Sequence, residues 1–258
     1  MSLHVSDQKQ KIRADQLLVE QGLAENRSRA QALIMAGEVF AGELKVEKAG
    51  QTLSTDLVLR IRNLQKYVSR GGIKLEGALS DSGFDPTGLV AADIGASTGG
   101  FTDCLLQHGA ARVFAIDVGH GQLAGRLRND PRIVVMERTN ARTLTAEQVG
   151  GGVDLVVVDA SFIGLGKLLP ALAACLVPGG HLLALIKPQF EVGREEATRH
   201  AGVIRDPILR QKAVDKVCAE VETIGFSLLS NHRCRLPGPK GNVEHFILAQ
   251  REIETSEG

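Results

Sequence analysis

The stretch Leu89-Val90-Ala91-Ala92-Asp93-Ile94-Gly95-Ala96-Ser97-Thr98-Gly99-Gly100-Phe101-Thr102 passes from an apolar strand through a glycine-rich turn into a helix. Glycines at such a turn let the backbone approach a ligand closely at the carboxyl end of a first strand. The next apolar run, 113–117, ends on Asp117, 22 residues beyond Gly95. An acid there commonly accepts hydrogen bonds from ribose hydroxyls. Outward from this unit, apolar runs recur at 133–136, 153–159 and 181–186, with helical segments between them. A long amphipathic stretch, 207–224, and two more strand candidates, 226–232 and 244–250, follow. Apolar strands alternating with helices predict an α/β fold: a mostly parallel, Rossmann-like sheet covered on both faces.

The turn has no G-x-x-x-x-G-K-[ST] run, which disfavours a triphosphate cradle, and it is not a clean G-x-G-x-x-G. Asp93 would repel a pyrophosphate but suits a cation. S-adenosylmethionine, with its sulfonium and ammonium, therefore fits better. Candidate cofactor contacts are Asp93, Gly95, Ser97, Gly99, Gly100, Phe101 and Asp117. Asn140, after the third strand, is a candidate adenine contact, with a turn-forming role as the alternative. For the loop as a whole, the alternative is a turn that only tightens strand–helix packing.

Composition narrows the classes. The 258 residues hold 30 Lys+Arg against 30 Asp+Glu, so bulk charge cannot coat nucleic acid. No apolar run is long enough to span a membrane, and the N-terminus lacks a signal-peptide core. Four scattered cysteines and no Cys/His cluster disfavour zinc, other metal centres and disulfides, which fits a reducing cytoplasm. Aromatic residues are only 3%, which disfavours a sheet that stacks rows of bases.

The expected organisation is a small domain over 1–62, a linker over 63–66 and the large domain over 67–258. Residues 1–11 and the tail from Arg251 read as frayed or mobile. A helix is predicted from Ile12, with Leu17, Leu18 and Gln21 on one face and Gly22 as its stop. A second is predicted from the N-cap Asn26, with Ala30, Leu33 and Ile34 as its stripe and Gly37 as its end. Short strands are expected at 38–41, 45–46 and 57–61. Arg13, Gly22, Ser28-Arg29 and Gly37-Glu38-Val39 make this region resemble the alpha-L RNA-binding motif of a small-subunit ribosomal protein, although Phe40-Ala41-Gly42 departs from the usual Val-Asn-Gly. The resemblance implies RNA binding, with Arg13, Arg27 and Arg29 as candidate contacts; a helical cap on the larger domain is the alternative.

Asp159 and Lys187 directly follow the fourth and fifth strands, where open α/β sheets bind ligands. An acid and an amine there are poor core residues and suit proton transfer from a weakly acidic hydroxyl. By spacing alone, Lys74 and Glu244 read as solvated surface groups. His120 reads as a surface loop residue, Cys104 as packing, and Ser161 lies outside any nucleophile elbow.

The motifs Y-V-S-R-G-G-I-K-L, D-I-G-A-S-T-G-G-F-T-D, D-V-G-H-G-Q-L, V-D-A-S-F-I, I-K-P-Q-F-E and G-N-V-E resemble the TlyA (hemolysin A) family of ribosomal RNA 2′-O-methyltransferases, whose larger domain is FtsJ-like. They cover nearly the whole chain in the family's order. The resemblance implies a Lys74–Asp159–Lys187–Glu244 tetrad with Lys187 as base. It also implies S-adenosylmethionine as methyl donor and cytidines of ribosomal RNA, free or in ribosomal subunits, as targets. It leaves oligomeric state and domain orientation open. A non-catalytic ribosome-assembly factor and a membrane-active hemolysin are the competing readings. The neutral total also hides a local pattern. Residues 1–66 carry +2 and 67–258 carry −2. Arg60, Arg62, Lys66, Arg70 and Lys74 fall in an acid-free run, and Arg233, Arg235 and Lys240 in another. Arg62, Lys66 and Arg70 are therefore candidate phosphate contacts.

Overall fold

The computed structural model describes residues 10–62 and 66–253. The chain forms two compact units, Met1–Gln65 and Lys66–Gly258. Positions 63–65 of the expected linker, residues 1–9, and the tail from 254 lie outside the described residues.

The first unit contains β1 (Lys11–Arg13), α1 (Ala14–Glu20), α2 (Arg27–Met35), β2 (Val39–Ala41), β3 (Leu44–Lys45), β4 (Thr52–Ser54) and β5 (Leu59–Ile61). Strand β2 sits between β3 and β5, and β1 pairs with β4. The helix expected from Ile12 begins at Ala14, because Lys11 to Arg13 are extended and paired, Ile12 opposite Leu53. Lys11 is thus ordered in a strand rather than frayed. Asn26 caps α2, its side chain accepting a hydrogen bond from the Arg29 backbone N–H at 2.9 Å. Leu17, Leu18, Ala30 and Ile34 pack with Val39, Val46, Leu53 and Leu59 into one core. Gln21 does not join that apolar face. Its amide donates to the Leu57 carbonyl at 2.7 Å and accepts from the Leu59 N–H at 2.9 Å, fastening α1 to the chain entering β5.

The second unit runs α3 (Arg70–Ser82), β6 (Val90–Ile94), α4 (Gly100–Gln107), β7 (Arg112–Ile116), α5 (Gly125–Arg128), β8 (Ile133–Met136), β9 (Val153–Val158), α6 (Leu169–Cys175), β10 (Leu176–Ile186), α7 (Pro188–Glu191), α8 (Arg194–Arg199), α9 (Pro207–Thr223), β11 (Phe226–Arg233) and β12 (His245–Arg251). The sheet order is β11-β12-β10-β9-β6-β7-β8. Strands β6 to β10 pair in parallel, while β12 is antiparallel to both β10 and β11. This is the expected mostly parallel Rossmann-like sheet. Strand β10 starts five residues earlier than expected, at Leu176, with an irregular register before His181 where Pro178-Gly179-Gly180 interrupts the ladder.

Side chains alternate between two cores, as strand geometry requires. Val156 and Val158 of β9 pack on the face holding Leu172, Val214 and Val217, whereas Leu155 and Val157 pack on the face holding Leu75, Leu79 and Leu105. Apolar layers on both faces explain the near-continuous apolar strands. From β6 the chain proceeds to β7 and β8 on one side and returns to β9 and β10 on the other. The carboxyl ends of β6 and β9 therefore form the topological switch point, where open sheets bind ligands. Among the described residues, no helix is long and apolar enough to cross a membrane.

Candidate active site

The switch point brings the loops after β6 and β9 into contact. The Asp159 N–H donates to the Ile94 carbonyl at 2.9 Å. Gly95 has φ +82°, and a Cβ there would lie 2.9 Å from the Asp159 carbonyl oxygen. Lys187, one residue beyond β10, places Nζ 2.5 Å from Asp159 Oδ1 and donates to Ser161 Oγ at 2.8 Å. Lys74, on α3, places Nζ 2.5 Å from Glu244 Oε2, on the segment entering β12. Both lysines and Glu244 are buried. All four side chains line one cleft of about 1090 Å³, together with Gly95, Ser97, Ser161 and Phe162. Each buried amine is paired with one carboxylate, so removing any single partner leaves an uncompensated charge.

Three supporting residues carry no role in the sequence reading, although Glu191 and Asn242 fall within its family-like runs. Gly238 leaves room for the Glu244 carboxylate, since a Cβ there would fall 2.5 Å from Oε1. Buried Asn242 accepts from the Ile204 N–H at 2.9 Å and donates to the Gly202 carbonyl at 2.8 Å, fixing the wall of the cleft beside Glu244. Buried Glu191 accepts from the Leu165 N–H at 2.8 Å, and burial pushes its carboxyl pKa up. A fourth, Phe162, is 91% exposed at the cleft with φ +67°, a conformation costly for an aromatic residue. Its ring lies 5.4 Å from that of Phe190, which also lines the cleft.

The glycine loop is shaped largely by packing. A Cβ at Gly99 would strike Leu127 and Leu123, and one at Gly100 would strike Ser69 and the Gly72 nitrogen. Phe101 is buried, its ring 6.0 Å from that of Phe246. Asp93 is fully buried, and its Oδ2 accepts from the Thr102 N–H at 2.9 Å and hydroxyl at 2.6 Å. Its Oδ1 has no partner, and burial pushes its pKa up to about 7. Asp117 accepts from the Ser97 N–H at 2.8 Å and the Gly119 N–H at 2.6 Å, beside a shallow pocket lined by Ala96, Gln122 and Val135. Asn140 is exposed and caps its own turn, accepting from the Arg142 N–H at 3.0 Å. An unpartnered buried acid at one end of the loop and a second acid at the other fit a ligand bearing a cation and ribose hydroxyls.

The basic residues divide. Arg13 and Arg27 both bind buried Asp15, at 2.8 and 3.2 Å, and the Arg13 guanidinium holds that carboxyl far below the usual range. Arg29 is exposed, and Arg62 lies over the Phe40 ring at 4.1 Å. The runs that are acid-free in sequence are not acid-free in space. Lys66 pairs with Glu76, Arg60 with Glu43, and Arg235 with Asp81. Arg70 donates to the Pro237 carbonyl at 3.2 Å, and Lys74 belongs to the cleft. His120 is exposed and pairs with Glu137 at 2.7 Å, and Cys104 is buried. Among the described residues no group of His, Cys, Asp and Glu is arranged to hold a metal.

A Rossmann-like sheet with an acid-flanked glycine loop and lysine–carboxylate pairs at its switch point defines the second unit as a methyltransferase. The FtsJ-like methyltransferase model matches residues 67–251, and the S4 domain model matches residues 12–59. The chain belongs to the TlyA family of FtsJ-like methyltransferases. It is 47% identical to the 16S/23S rRNA (cytidine-2′-O)-methyltransferase TlyA of Mycobacterium tuberculosis, over 95% of this chain and 91% of the relative. A solved structure from Streptococcus thermophilus, carried under the name hemolysin, is 38% identical with TM-score 0.71, covering 95% of this chain and 90% of its own. An S-adenosylmethionine-dependent methyltransferase from Mesorhizobium loti shares the fold alone, with 17% identity and TM-score 0.51 over 69% of this chain and 98% of its own.

Proposed function

We propose that this chain transfers a methyl group from S-adenosylmethionine to the ribose 2′-hydroxyl of a cytidine in ribosomal RNA. The observation that carries the reading is the pair of buried lysine–carboxylate contacts, Lys187–Asp159 and Lys74–Glu244, in one cleft at the switch point. A 2′-hydroxyl is a weak acid and needs a positioned base.

Asp93, Gly95, Ser97 and Asp117 would hold the cofactor, with Gly99, Gly100 and Phe101 fixing the loop by their packing and Asn140 at the neighbouring turn. When bound, S-adenosylmethionine supplies an electrophilic methyl group on a sulfonium. Lys187 Nζ takes the ribose proton, and Asp159 orients the amine. The Lys74–Glu244 pair places a second amine in the cleft, where it orients the hydroxyl oxygen. Exposed Phe162 offers a ring on which a base swung out of the RNA stack can rest. The S4 unit, with Arg13, Arg27, Arg29 and Arg62, grips structured RNA, and Lys66 and Arg70 add contacts on the catalytic unit. Cytoplasmic ribosomal subunits are the natural source of such a substrate.

Replacing Lys187 by Met tests the reading. Methyl incorporation into rRNA is expected to fall by at least about 100-fold, with S-adenosylmethionine affinity within about twofold of wild type. An active Lys187→Met protein would remove Lys187 as base. Wild-type protein that binds ribosomal subunits without incorporating labelled methyl would favour the assembly-factor reading.

A further inference from the structure

Lys187 Nζ is bonded to Cε and has three remaining tetrahedral directions. Three oxygens stand around it: Nζ donates to Ser161 Oγ at 2.8 Å and to the Asp159 carbonyl at 3.4 Å, and it forms an ion pair, without hydrogen-bond geometry, with Asp159 Oδ1 at 2.5 Å. These oxygens crowd the approach of a ribose hydroxyl to this largely buried amine. The three neighbours are not equivalent. A carbonyl oxygen only accepts, and an ionised carboxylate only accepts, whereas a hydroxyl both accepts and donates. Exposure separates them as well. Lys187 is 8% exposed and Asp159 is partly buried, but Ser161 is exposed and lines the cleft.

We infer that Ser161 is a catalytic proton relay, through which the ribose 2′-hydroxyl proton reaches Lys187 Nζ. The inference rests on the reading of Lys187 as base. In the step, the ribose proton moves to Ser161 Oγ while the serine's own proton moves to Nζ, which becomes an ammonium. The ribose oxygen forms its bond to the methyl carbon as the donor's sulfur–methyl bond breaks and that electron pair returns to sulfur. Serine ends as it began, as a neutral hydroxyl, and charge balances: one cation, the sulfonium, is lost and one, the ammonium, is gained. Asp159 holds the amine through both states because it faces Nζ with two oxygens.

Two features of the loop support the assignment. Phe162, the residue after Ser161, has φ +67°, and Leu165 is anchored to buried Glu191 at 2.8 Å. The backbone carrying Ser161 is therefore held at both ends, by Asp159 at the strand end and by Leu165 beyond. An exposed serine serving only as solvated loop would have no need of a 2.8 Å contact with a buried amine.

The test uses the full-length protein, labelled S-adenosylmethionine and ribosomal subunits lacking the modification, under single-turnover conditions. Ser161→Ala is expected to lower the methyl-transfer rate by about 100-fold, with S-adenosylmethionine affinity unchanged. Ser161→Thr, which keeps the hydroxyl, is expected to stay within about tenfold of wild type. In mixed H2O and D2O the wild-type rate should depend on deuterium fraction with the curvature of two protons in flight, and the Ser161→Ala rate should depend on it linearly. A merely structural role for Ser161 would not move that curvature. A Ser161→Ala rate at or above wild type overturns the inference and makes Ser161 a placeholder that substrate displaces. A linear wild-type dependence also overturns it. An inactive Lys187→Met protein alongside a fully active Ser161→Ala protein sinks the relay alone, whereas an active Lys187→Met protein sinks the base reading and the relay together.

Discussion

Asp93 has the largest electrostatic consequence of any residue in the glycine loop. It is fully buried, and burial raises its pKa to about 7, against ~3.9 for an unfolded Asp. Between those values the folded chain keeps a proton that the unfolded chain has released. Asp93 therefore lowers stability progressively as pH rises from about 4 to about 7. Asn at this position keeps an oxygen for Thr102 but cannot ionise. Asp93→Asn is expected to flatten the fall in unfolding free energy across this window, read by urea denaturation at a series of pH values. A cationic ligand beside the unpartnered Oδ1 favours the ionised form. S-adenosylmethionine affinity should therefore rise over the same window in wild type and stay level in the variant. An unchanged slope in Asp93→Asn would place the ionisation elsewhere.

Elements were legible in proportion to their length and burial. Strands β6 to β9 were found to within a residue because both of their faces are covered, leaving runs dominated by apolar residues. Strands β1 and β4 were missed because each is three residues long and largely polar, too short for alternation to register. Nothing local revealed that β12 runs antiparallel, since its direction depends on how residues 234–244 return to the sheet. The same return explains why Lys74 and Glu244 looked like surface groups. They are 170 residues apart and meet only because α3 and the entry to β12 reach the same sheet edge. Asp159 and Lys187 were readable because each directly follows a recognisable strand. Helix caps lie at the legible end of this range, and Asn26 was identified from its type and place. Its bond to the Arg29 N–H makes Asn26→Ala a defined test at element scale. The expected cost is about 1 kcal/mol, read as a lower urea midpoint for the first unit. The methyl-transfer rate at saturating RNA should be unchanged. A stability change below roughly 0.3 kcal/mol would mean that the cap is replaced by water without loss.

At the scale of the whole chain, zero net charge conceals an uneven distribution of usable cations. Several basic residues that look free in sequence are neutralised in space: Arg60 by Glu43, Lys66 by Glu76 and Arg235 by Asp81. Arg13 and Arg27 share one buried carboxylate, which orients two guanidiniums while cancelling one charge. Arg29 and Arg62 differ from these. Neither has an ion-pair partner among the described residues, and the Phe40 ring supports Arg62 without neutralising it. Phosphate contacts release counterions, so each one adds ~0.7–0.9 to the slope of log affinity against log salt. Reversing Arg29 and Arg62 to Glu together should weaken rRNA binding and reduce that slope by roughly 1.5 or more. Reversing Arg60 should do less, because its charge already faces Glu43. Methyl transfer at saturating RNA should survive the double reversal, since both residues lie in the first unit and the tetrad lies in the second. A binding curve unchanged from 50 to 200 mM salt would show that RNA is gripped elsewhere and that the S4 unit contributes shape rather than charge.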